Sequence, residues 1–106
     1  MQSELAEIQQ WYDAQCDGDW EHEFGVGIET LDNPGWTVEI DLEATPLDGC
    51  EFPPIKDMRA GREWLFCEVS EGRCRGSGGP HMLGRILRKF LDWASKMRGE
   101  AVRPTV

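Results

Sequence analysis

The stretch FGVGIETLDNPGWTVEIDL, residues 24–42, decides the fold. Phe24, Val26, Ile28 and Thr30 alternate with Gly25, Gly27, Glu29 and Leu31; Trp36, Val38, Ile40 and Leu42 then alternate with Thr37, Glu39 and Asp41. Successive strand side chains point to opposite faces, so a period of two predicts two strands, each with a dry face and a wet one. Between them Asp32 and Asn33 are good turn starters, Pro34 presets a turn φ and Gly35 tolerates a positive one. The expectation is an antiparallel hairpin with apolar side chains on one face and carboxylates on the other.

Before the hairpin, Ser3 can cap a helix running to about Cys16, with Glu4 and Glu7 near its positive end. Leu5, Ile8, Tyr12 and Cys16 make its apolar stripe, and Trp11 lies beside it. After the hairpin, Pro46, Pro53 and Pro54 argue against a long central strand, which leaves a loop with a short edge strand near Glu51–Phe52. Glu63 to Ser70 reads as a strand covered on both sides or near the sheet centre. Arg73 to Gly76 is its hairpin partner, turning at Glu71–Gly72. Gly76-Ser77-Gly78-Gly79-Pro80 reads as a flexible connection, with Ser77 as a cap and Pro80 in a first helical turn. Leu83, Ile86, Leu87, Phe90, Leu91, Ala94 and Met97 keep helical spacing, Arg85, Arg88, Lys89 and Lys96 take the other face, and Gly99 is expected to stop the helix. The basic face reads as solvated or paired with the acidic half of the same chain. The predicted class is α+β: an antiparallel sheet of about four to five strands with an N-terminal and a C-terminal helix packed on one face. Residues 1–99 form a single domain, and 100–106 read as a disordered tail.

Charge is placed unevenly. Residues 1–57 carry 15 carboxylates against Lys56 alone, a balance of −14, and the remainder carries +5, giving the −9 of the whole chain. A field of that sign repels nucleic-acid phosphates and anionic lipid and attracts basic protein surfaces. No apolar run approaches the ~18 residues of a membrane span. The opening MQSELAEIQQ has neither a basic n-region nor an apolar h-region, so a cytoplasmic address is expected.

Few residues suggest chemistry. Cys16, Cys50, Cys67 and Cys74 show no C-x-x-C spacing and read as free thiols. Cys74, between Arg73 and Arg75, is the better candidate for a reactive thiol, because neighbouring cations lower a thiol's pKa; Cys67 lies in an apolar strand. The cluster Asp17, Asp19, Glu21, His22 and Glu23 begins like a calcium loop, but His22 stands where that loop needs Gly and Ile28 where it needs Glu. No metal and no cofactor is expected. Two readings of the cluster stay open: a Trp20 anchor ringed by carboxylates that faces a basic partner, or a solvated acidic loop with Trp20 tucked into the core.

QCDGDWEH at 15–22, LDNPGW at 31–36 and the GGP-to-helix junction at 78–83 are uncommon strings, and they occur here in one order. With them the chain resembles, over about residues 8–95, the immunity protein 53 family of bacterial polymorphic toxin systems. The resemblance implies a non-enzymatic inhibitor that binds and neutralises a cognate toxin, and it brings no catalytic residues with it. An acidic inhibitor suits a toxin with a basic, nuclease-like cleft. On that reading Asp17, Asp19, Trp20, Glu21 and His22 make the partner-binding surface with Asp32 and Asn33 of the hairpin turn, and Glu39 and Asp41 come second. The rival readings are a small sulfur-transfer or redox enzyme using Cys74 and a regulatory subunit of a housekeeping complex.

Overall fold

The computed structural model describes residues 3–58 and 61–101. The elements in chain order are α1 (Glu4–Gln15), α2 (Trp20–Glu23), β1 (Val26–Leu31), β2 (Gly35–Asp41), β3 (Ile55–Met58), β4 (Trp64–Ser70), β5 (Arg73–Gly78) and α3 (Leu83–Ala101). The five strands form one antiparallel sheet in the order β1-β2-β5-β4-β3. With α1 and α3 at its two ends, the chain is an α+β domain of the expected class.

The hairpin forms as its alternation requires. Val26 pairs with Ile40 and Ile28 with Val38, and Val38, Ile40 and Leu42 are buried on the inner face. Gly35 has a different role from the expected one. Its φ is not positive, and it lies buried where a Cβ would overlap the Gly78 carbonyl oxygen, so glycine here lets β2 approach β5. The β4–β5 turn is a two-residue connection with positive φ at both Glu71 and Gly72, the geometry whose twist matches that of paired strands.

Three expectations are corrected. The edge strand is Ile55–Met58, paired with Trp64–Cys67, and not Glu51–Phe52. Pro53 and Pro54 have no N–H to give a ladder, so pairing begins only after them. Phe52 instead packs edge-on against Trp93, whose indole N–H donates to the Glu51 carbonyl. Second, Gly76-Ser77-Gly78 is not a flexible connection but the end of β5, paired on both sides. A Cβ at Gly76 would overlap Ile86 Cγ2, so the glycine lets α3 lie close on the sheet. Ser77 therefore caps nothing, and the helix starts at Leu83. Third, α3 runs past Gly99 to Ala101, into the expected tail; residues 102–106 lie outside the described ones.

The core lies between the inner sheet face and α3, which contacts β2, β4 and β5. Ile40, Leu42, Leu65, Ile86, Leu87 and Phe90 are among its buried side chains, each stabilising by about 1.5–3 kcal/mol on burial. Ser3 caps α1 by accepting the Ala6 N–H, as expected. The helix is rotated from the expected stripe, however. Ile8 and Trp11 face inward, Trp11 meeting Phe90 edge-on, while Leu5 is 64% and Tyr12 39% exposed. That rotation brings Glu4 and Glu7 onto Arg88 of α3, whose guanidinium bridges both and Asp92. The basic face of α3 is thus paired in part with the acidic half of the chain.

Three indoles fasten irregular backbone. Trp20 donates to the Glu43 carbonyl, Trp36 to Pro80 and Trp93 to Glu51. A ring buried at one end and hydrogen-bonded at the other fixes a loop in both position and orientation. Among the described residues, no helix is long and apolar enough to cross a membrane.

Candidate functional site: an acidic end and an open strand edge

The loop from Asp17 to Glu23 is held by its own carboxylates. Asp17 Oδ1 accepts the N–H groups of Asp19 and Trp20, each at 2.9 Å. Glu21 reaches back to accept those of Asp17 and Gly18, at 3.0 and 2.9 Å. Gly18, with φ of +97°, makes the reversal that such a reciprocal arrangement needs. Hydrogen bonds to an ionised carboxylate favour that form. The Trp20 and Asp19 amides therefore hold Asp17 below its ordinary value, and backbone amides do the same for Glu21. Both acids are structural as well as charged.

Trp20 is 4% exposed, inside a cluster of rings with Trp11, Tyr12 and Phe24. It supports the loop from beneath and presents no surface of its own. Asp19, His22 and Glu23 are exposed, and within the described residues no side-chain hydrogen bond or ion pair engages them.

The expected site residues fall into three groups. Asp17, Asp19, Glu21 and His22 lie at the end of the sheet where β1 begins and β2 ends. Asp32 and Asn33 are exposed at the opposite end, one strand length away, about 17–20 Å. Glu39 and Asp41 occupy the face of the sheet away from the helices, and the chain's own arginines meet them. Arg75 Nε lies 3.2 Å from Glu39, and Arg73 Nε donates to Asp41 at 3.0 Å. Asp41 also accepts the Gly25 N–H. The fold does not gather the nine residues into one patch.

Tertiary structure adds members that the linear sequence concealed. The Trp20 indole bond places Glu43 beside the acidic loop. The Leu42 N–H to Gly72 carbonyl bond places the Glu71 turn at the same end of the sheet. Both glutamates are exposed. Only the strand order brings them there, so no local pattern could have named them.

The ground for a reactive Cys74 is gone. Strand alternation sends Arg73 and Arg75 to the open face and Cys74 to the core, where it is 4% exposed and burial pushes its thiol up to about 12. Burial likewise raises Cys67, to about 11. Among the described residues no group of three His, Cys, Asp or Glu side chains is placed to hold a metal ion.

A second feature lies beside the acidic end. Ile8, Gln9, Tyr12, Gly25 and Val26 line an open groove of about 320 Å³ between α1 and β1. Four consecutive residues of β1, Gly27 to Thr30, are exposed. Strands with one face on a core normally alternate, so this run marks β1 as extending beyond the helical layer.

Comparison with curated proteins and with solved structures finds no match. The model of the family described as Immunity protein 53 matches residues 5–95, from α1 through most of α3, and the chain belongs to that family.

Proposed function

We propose that this chain neutralises a cognate bacterial toxin in the cytoplasm by binding it one to one, and that it docks through its acidic end against a basic, nuclease-like active site. Membership of an immunity protein family supports the role. The observation that carries the docking surface is how the charge is compensated. Arg73 and Arg75 answer Asp41 and Glu39, and Arg88 answers Glu4 and Glu7, whereas Asp19 and Glu23 have no ion pair among the described residues. Asp17, Asp19, Glu21 and Glu23 thus form a run of four acids within seven residues that has no ion pair among the described residues, with Glu43 and Glu71 beside it.

Such a patch speeds encounter with a positively charged cleft well beyond the ~10⁵–10⁶ M⁻¹s⁻¹ of neutral pairs. Asp17 and Glu21 shape the patch, Trp20 holds it from below, and Asp19, His22 and Glu23 meet the partner. Asp32 and Asn33, at the far end, lie outside this footprint unless the toxin spans the length of β1.

The test takes the product of the adjacent gene as the candidate toxin. Protection from it should saturate at one inhibitor per toxin. Asp19→Lys combined with Glu23→Lys should slow association about tenfold or more at low salt while leaving the fold unchanged. Equal association rates for wild type and the double variant at low ionic strength would remove the acidic end from the interface.

A further inference from the structure

The sheet has two edges, and they are treated differently. Natural edges are blunted by short strands, lysines and prolines, because an open row of N–H and C=O groups invites another strand. β3 shows all three: it has four residues, carries an exposed Lys56 and follows Pro53-Pro54. β1 shows none. It has six residues, VGIETL, with neither lysine nor proline.

Which backbone groups of β1 face outward follows from the register. The Asp41 N–H donates to the Gly25 carbonyl at 3.0 Å, and Gly27 and Glu29 follow at two-residue steps opposite Glu39 and Thr37. In an antiparallel ladder every second residue bonds the neighbour, so Val26, Ile28 and Thr30 turn their N–H and C=O groups away from β2. Their side chains lie on the helix side, where Val26 lines the groove together with Tyr12 and Ile28 is 40% exposed.

We infer that the free edge of β1 and the groove between β1 and α1 seat an extended basic segment of the toxin, which adds to the sheet as a sixth strand. This rests on the immunity reading above and gives that reading a second contact surface. Strand addition takes affinity from main-chain hydrogen bonds and specificity from alternate side chains. The added segment places apolar side chains over Val26, Ile28 and Tyr12, and its Lys or Arg side chains on the other face beside Glu29.

Charge selects the occupant. No Lys or Arg occurs between residues 3 and 55. Tyr12, which lines the groove, has its phenol raised chiefly by Cys16 and by burial, and further by the carboxylates Glu21 and Asp13, so the side-chain charge around it is negative. A second copy of this chain would bring its own net charge of −9, and like charge opposes that pairing. A basic segment has the complementary sign.

The experiment measures affinity and amide hydrogen exchange with the candidate toxin domain, purified from the product of the adjacent gene. Ile28→Pro removes an N–H that makes no bond within the sheet, so the fold survives and strand addition does not. Ile28→Lys keeps the N–H but puts a like charge and a bulky stem on the seat. Both should bind at least tenfold more weakly than wild type, with unchanged circular dichroism, and the amides of Val26, Ile28 and Thr30 should gain protection only in the complex. Should Ile28→Pro fail to fold, Ile28→Lys and the exchange data decide alone. Wild-type affinity in the variants, or no added protection at those amides, overturns the strand-addition seat and leaves toxin binding standing. A wild-type chain that does not bind the domain overturns the immunity reading, and the seat with it. Dimers of the isolated chain with those amides already protected would make a second copy the occupant and end the proposal.

Discussion

β5 and β1 flank the same strand, β2, and are built on opposite terms. β5 buries Cys74, Gly76 and Gly78 beneath α3 and is paired on both sides. β1 is paired on one side only and leaves Gly27, Ile28, Glu29 and Thr30 exposed. Both strands contain glycine, for unrelated reasons. A Cβ at Gly76 would collide with Ile86, whereas one at Gly27 would meet nothing within 4 Å. The difference teaches that one neighbour of β2 is built for burial and the other is left open to solvent.

That division can be broken most severely at the core side. Leu65→Ala, at a side chain 1% exposed, should destabilise by about 2–5 kcal/mol, read as a lower midpoint in urea with the slope unchanged. Gly76→Ala should cost about 1–3 kcal/mol, since Ile86 must shift to admit a methyl group. Its counterpart sharpens the contrast: Gly27→Ala should raise stability by about 0.4–1 kcal/mol through the unfolded chain, in the same denaturation assay. If both glycine variants lose stability equally, the two strands do not differ as described.

Smaller effects belong to the acidic end. Asp17 and Glu21 are both held below their ordinary values of 3.8 and 4.5 by backbone amides. A carboxylate depressed in the folded state contributes stability that is present above its unfolded value and lost as pH falls through the folded one. Protection of the Asp19 and Trp20 amides, which bond Asp17, should therefore fade only as pH drops below about 3.8, and Asp17→Asn should remove most of that dependence. The smallest change is expected at Glu39→Gln. Its partner Arg75 and it are both substantially solvent-exposed, so stability should move by no more than about 0.5 kcal/mol.

Much of the fold was legible because the signals were local. Period-two alternation from Phe24 to Leu42 specified the hairpin, Glu71-Gly72 its neighbour's turn, and the spacing from Leu83 to Met97 the last helix. The misreadings have one physical source. Gly76-Ser77-Gly78 looks like a hinge because glycine is permissive alone, yet in the fold its missing Cβ makes room for a helix. The spacing of Leu5, Ile8 and Tyr12 differs from the buried face of α1 because Trp11 outranks Leu5 and Tyr12 once Phe90 is available to pack against.

The candidate site divides the same way. Composition alone places the negative charge in the first half of the chain, and the alternation alone puts Glu39 and Asp41 on the open face of the sheet. Which acids are neutralised was decided only when Arg73, Arg75 and Arg88 were carried from distant positions onto Asp41, Glu39, Glu4 and Glu7. The linear order also hides that Glu43 and Glu71 join the α2 loop, and that β1 stands at an edge. Periodicity reports which way a side chain points; strand order and helix placement decide what it meets there, because those depend on contacts between residues far apart in the chain.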